Sequence, residues 1–139
     1  MTDTIRLEIV TPEKAVVSEE AQIVMAPGIL GEFGVLTGHT PFMTTLKMGA
    51  VHYRTTDGAE RFVFVSGGFA EALPDKVTIL AESAERRVDI DLERAQSALS
   101  RARERLARED AKDIDFERAR AALERALFRV KLAESRRTQ

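Results

Sequence analysis

At 139 residues and 15.5 kDa, with 44% hydrophobic and 32% charged residues, the chain suits one or two small globular domains and is too short for most large catalytic folds. Lys+Arg 21 against Asp+Glu 23 gives a net charge of -2, which leaves no global positive field to hold nucleic acid or an anionic bilayer. With no cysteine, and His39 and His52 as the sole imidazoles, disulfides, thiolate zinc sites and cysteine nucleophiles are excluded and a structural metal is not expected.

Met1 to Arg6 lacks the basic-then-apolar layout of a secretion signal, and no apolar run approaches the roughly 18 to 20 residues of a membrane span. The expectation is a cytoplasmic chain that meets membranes only through partners. Ile5, Leu7 and Ile9 alternate with Arg6 and Glu8, the period of a strand with one buried face. A second run follows at Ala21 to Ala26. Gly28, Gly31, Gly34 and Gly38 then punctuate a stretch with no Lys-Ser or Lys-Thr behind it and no helix pattern around it, so a phosphate loop is disfavoured. They are read as positive-φ turning points in a long connection between strands. Val51 and Tyr53 alternate with His52 and Arg54, which places His52 on a solvent-facing strand position. Runs at Arg61 to Val65, Phe69 to Leu73 and Lys76 to Ala81 are parted by Asp57-Gly58, Gly67-Gly68 and Pro74-Asp75. Short strands at this spacing predict an antiparallel sandwich or barrel.

The chain changes character near Asp89. All eight glycines, all four prolines and six of the eight aromatic residues precede that point. Beyond it Leu92, Ala95, Leu99, Ala102 and Leu106 recur at steps of three and four, as do Phe116, Ala119, Leu123, Ala126, Val130 and Ala133. Asp91 and Asp115 stand where helix N-caps are needed, and Glu109 to Asp113 forms a polar connector. The prediction is two domains: strands over 1–86 and an antiparallel two-helix hairpin over 87–139. The hairpin seam is rich in alanine, so it hides little apolar area against a backbone ordering cost of roughly 1 to 2 kcal/mol per residue. A marginal, detachable hairpin follows.

Chemistry-bearing residues are few. His39 sits between Gly38 and Pro41 with no serine or carboxylate constellation beside it, so a contact role in an exposed loop competes with acid–base work. Eleven arginines lie between Arg94 and Arg137. Arg94 and Arg101 are seven apart and Arg125 and Arg129 four apart, so each couple falls on one helical stripe. Such guanidinium forks pair with carboxylates or phosphates, while the plain alternative is a solvated face laced with intrahelical ion pairs such as Glu104 with Arg108.

The run Gly31-Glu32-Phe33-Gly34-Val35-Leu36-Thr37-Gly38-His39-Thr40-Pro41, then Leu46 and Gly49, then Val65-Ser66-Gly67-Gly68-Phe69, resembles the epsilon subunit of the bacterial F-type ATP synthase. The likeness continues through Ala81 to Ala84 and the Ile90 to Ala95 stretch into the second helix. Thr37 departs from the pattern, which usually has proline there, and is expected to loosen the turn.

The resemblance implies an antiparallel β-sandwich of about ten strands followed by the two-helix hairpin, in a noncatalytic central-stalk subunit. The sandwich would dock on the gamma subunit and the polar loops of the c-ring, with Glu32 facing those loops and His39 close by. The hairpin would switch between a compact form and one extended into the head of alpha and beta subunits, restraining ATP hydrolysis. In several members the compact form binds ATP as a regulatory ligand, with no cofactor required. The matching positions here are Glu85, Asp91, Arg94, Arg101, Arg125 and Arg129. The implied location is peripheral, on the cytoplasmic face of the bacterial inner membrane. Two other readings compete: a small hydrolase using His39 with Glu32, and a binding module for an unrelated partner.

Overall fold

The computed structural model describes residues 3–108 and 116–135. Nine strands come first: β1 Ile5–Val10, β2 Ala15–Gly28, β3 Gly31–Val35, β4 Phe42–Leu46, β5 Gly49–Thr55, β6 Glu60–Val65, β7 Gly68–Ala72, β8 Lys76–Ala81 and β9 Ala84–Arg86. A single 3-10 turn at Arg87–Asp89 leads to helices α1 Leu92–Ala107 and α2 Phe116–Ser135. The chain divides into two compact units, Met1–Arg87 and Val88–Gln139.

The strands run in the order β1-β8-β7-β4-β2-β5-β6-β9, with β3 on β2 and a further β1–β2 pairing. The 14-residue β2 is the shared member: its first half pairs with β1, and its second half with β3, β4 and β5. Register shifts beside Ile9/Val10 and Ala21/Ile23 mark the bends that let the sheet fold over on itself as a sandwich. Every pairing is antiparallel except β1 with β8, so the all-antiparallel expectation needs that one correction.

Alternation in sequence becomes alternation in burial. Ile5, Leu7 and Ile9 join Val51, Tyr53, Val63, Val65, Val77 and Ile79 in one core. The polar partners of β1 face outward, where Arg6, Glu8, Glu20 and Lys76 lie 3.4–3.9 Å from one another in pairs. These half-exposed pairs add little stability.

The glycine stretch is mostly strand, which corrects its reading as one long connection. Gly31 and Gly38 have positive φ, as expected, but Gly28 and Gly34 lie within β2 and β3. They are small for packing reasons: a Cβ on Gly34 would sit 2.7 Å from Met25 Sδ, and one on Gly28 the same distance from the Gly31 carbonyl oxygen. Gly68 combines both demands, with φ at 140° and an added Cβ only 2.0 Å from Leu80 O.

In the second unit α1 and α2 pack against each other. Ala95, Leu99, Ala102, Ala119, Ala126, Val130, Leu132 and Ala133 are its buried helical residues, and five of these eight are alanine. Leu132 was not expected among them, whereas Phe116, expected on the seam, is exposed. Asp91 caps α1, accepting from Arg94 N at 3.2 Å. The expected connector Glu109 to Asp113 and the second expected cap, Asp115, lie outside the described residues.

Candidate functional site

Glu32 lies on β3, which among the described residues pairs only with β2 and so presents an edge. Its carboxylate is met not by His39 but by His52, with Nε2 3.3 Å from Oε2. A carboxylate only accepts, so His52 Nε2 donates. The His52 ring is stacked on Phe62, its cross-strand partner, with centroids 5.3 Å apart and planes 15° from parallel. Arg87 places its guanidinium carbon 4.2 Å from the Phe62 centroid.

His39 points its Nδ1 to Thr40 O at 2.7 Å, and its ring lies 5.1 Å from Phe42, which makes an edge-on contact with Phe33. The loop between β3 and β4 is held on both sides: Gly38 N donates to Pro74 O at 2.7 Å, and Thr37 Oγ1 to Thr4 O at 2.7 Å. Thr37 therefore ties the turn to the start of β1 instead of loosening it. Since Glu32 bonds His52 and His39 bonds a backbone carbonyl, the structure does not join them as the hydrolase reading needs.

Two apolar features sit on the same unit. The β2–β3 tip carries Ile29 and Leu30, the latter 98% exposed. Across β1, β8 and β7, Val10 stands opposite Leu80 and Leu80 opposite Phe69, and these residues line an open hollow of about 440 Å³. Leu80 and Phe69 are each more than half exposed. Strand alternation alone would have called both positions outward, but it gave no reason to single them out.

On the hairpin, Arg94 and Arg101 share a hollow of about 810 Å³ whose described lining is completed by Glu93, Gln96, Ser97 and Ser100. Both arginines are exposed, as is Arg125, while Arg129 is half-buried. Asp91 is occupied as the α1 cap. Glu85 belongs to the other unit, in β9 opposite Phe64. The structure thus brings Arg94 and Arg101 together; Arg125 and Arg129 are not among the described lining of that hollow.

Sandwich and hairpin each match a known domain: residues 4–87 fit "ATP synthase, Delta/Epsilon chain, beta-sandwich domain" and 89–134 fit "ATP synthase, Delta/Epsilon chain, long alpha-helix domain". The chain belongs to the ATP synthase delta/epsilon chain family. An ATP synthase epsilon chain of Desulfosudis oleivorans is 63% identical over 106 residues, 76% of this chain and 80% of that one. One of Desulforapulum autotrophicum is 61% identical over 107 residues, 77% and 79% respectively. The fold also matches a chain in the cryo-EM structure of the Euglena gracilis mitochondrial ATP synthase with OSCP, F1 and c-ring. There the TM-score is 0.69 at 23% identity, over 95% of this chain and 78% of that one. Among the described residues no helix of this delta/epsilon family member is long and apolar enough to cross a membrane.

Proposed function

We propose that the chain is a noncatalytic epsilon subunit in the central stalk of a proton-translocating F-type ATP synthase. The family match over both units carries this reading. The sandwich docks on the gamma subunit and the c-ring loops and turns with them, reaching the cytoplasmic face of a bacterial inner membrane only through the complex. Exposed apolar residues side by side, as at Leu80 and Phe69, favour docking on another protein. Glu32 on β3 and His39 on the following loop, itself held by Thr37 and Gly38, are the contacts toward the c-ring.

The hairpin is the regulatory element. Its buried helical residues are mostly alanine, which supports a local stability low enough for release from a compact posture. Released, it reaches the alpha and beta subunits and restrains ATP hydrolysis; ATP on Arg94, Arg101, Arg125 and Arg129, with Glu85 and Asp91, favours the compact posture. The test is an ATP synthase assembled with a chain truncated before Ile90. Assembly and coupled synthesis persist and ATP hydrolysis by the complex rises. Unchanged hydrolysis would leave the stalk assignment standing and remove the inhibitory one.

A further inference from the structure

A lone glutamate on an edge strand is poorly suited to a contact of fixed geometry. Glu32 is half exposed, and among the described residues β3 has β2 as its sole strand neighbour. A long, solvated carboxylate samples many rotamers and must be ordered whenever it meets a partner. The surroundings of Glu32 supply that order beforehand. His52 reaches it at 3.3 Å from β5, two strands away, because β2 pairs with β3 on one side and β5 on the other at the same residues: Met25 is opposite both Gly34 and His52. Gly34 leaves room for this, since Met25 Sδ occupies the space a Cβ would take there.

His52 is in turn fixed from behind. Its ring stacks on Phe62 with planes 15° from parallel, and Phe62 carries the guanidinium of buried Arg87 at 4.2 Å. Two residues further along the same face, Arg54 and Glu60 are paired across β5 and β6 and bond each other at 2.9 Å. Arg87, Phe62, His52 and Glu32 thus form a column of contacts from β9's end through β6 and β5 to β3, in which exposure rises from buried Arg87 to half-exposed Glu32.

We propose that His52 is a positioning residue for Glu32, holding its carboxylate ready for a hydrogen-bond-donating polar loop of the c-ring. This rests on the reading of Glu32 as a rotor contact. An exposed histidine–carboxylate pair contributes little to folding. Its use lies in removing rotamer freedom before binding, which converts to affinity without a new contact.

The test uses membranes whose ATP synthase lacks this subunit, to which the full chain is added back while ATP-driven proton pumping is read. Glu32→Gln raises the concentration that half-restores pumping. His52→Leu raises it roughly two- to tenfold, the range expected from freeing one long side chain. His52→Gln, which keeps a donor near the Nε2 position, recovers most of that loss. On a Glu32→Ala background, which removes the acceptor, His52→Leu adds nothing, while thermal unfolding of each chain stays close to the parent. An equal His52→Leu penalty with and without Glu32 would overturn the proposal, as would no penalty at all. A silent Glu32→Gln would instead remove the rotor-contact reading and the proposal with it. Carbon-13 shifts of the Glu32 carboxyl in the full chain give an independent check: they move in His52→Leu if the contact forms in solution, and an unmoved signal counts against it.

Discussion

Tyr53 shows how one residue joins the core to a distant polar partner. It is the largest fully buried side chain, yet its hydroxyl donates to Glu19, which also draws Arg61 Nε to 3.9 Å. Burial, together with the hydrogen bond to Glu19 and the charge of that carboxylate, pushes the phenol well above its ordinary 10.0. A phenol whose folded value is raised favours the neutral form in the fold. That stability is present in full below pH 10 and is lost as pH climbs through the folded value. Tyr53→Phe is therefore expected to cost about 1 kcal/mol at neutral pH by losing one hydrogen bond. It should also lack the parent's steeper decline above about pH 10. Urea unfolding at pH 7 and pH 10.5 checks both; parallel pH slopes for parent and variant would contradict the account. Burial of Tyr53 was legible from its alternation with His52 and Arg54, but its bond to Glu19 was not, because the partner is 34 residues away. His52 stands on the outward face as its alternation implies, but its carboxylate partner was not legible, for a related reason. Neither its pairing with Phe62 nor the approach of Glu32 was readable, the second because it depends on β2 lying between β3 and β5.

Among the elements, those with clean periodicity or a continuous apolar run were legible, and short strands with neither were not. β1, β5 and β8 each bury alternate residues, and the sequence displays the same period. β3 reads Gly-Glu-Phe-Gly-Val and leaves most of its residues exposed, because an edge strand need not hide one face completely. β4, Phe-Met-Thr-Thr-Leu, does bury alternate positions to differing degrees, but adjacent apolar and adjacent polar residues erase the signal. Three-residue β9 is too short to show a period. The helices were visible throughout because their alanine and leucine steps persist over several turns. Asp91 connects this element scale to function, since it serves as the α1 cap and also stands at a position the family resemblance associates with nucleotide. Asp91→Ala should remove about 1 kcal/mol from α1 by orphaning a first-turn amide. Hydrogen exchange should quicken at Arg94 and its neighbours while β1, β5 and β8 keep their protection. Unchanged exchange at Arg94 would mean that the cap contributes nothing in solution.

At the scale of the whole molecule, two units of unlike construction share one chain. The sandwich has a continuous core of branched and aromatic residues, while the hairpin buries mostly alanine in its helices. Truncating or extending such a core changes stability by roughly 0.8 kcal/mol per buried methylene, so the alanine helices hold far less in reserve. A ligand can then govern them. At about a hundred times its dissociation constant a ligand adds roughly 2.7 kcal/mol to the state that binds it, which decides a nearly balanced equilibrium and leaves a strongly biased one untouched. Arg94 and Arg101 already share one hollow on α1, with Ser97 and Ser100 beside them as hydroxyl donors. Titrating the full chain with ATP in a calorimeter should give heat with a single saturating phase. Arg94→Ala should weaken binding about tenfold or more, the usual consequence of losing one charge-assisted contact to phosphate. Arg125→Ala should do the same only if α2 contributes to the site, so the pair of variants separates a site on α1 from one spanning both helices. A flat titration with the parent chain would end the nucleotide reading while leaving the truncation experiment free to report on the brake.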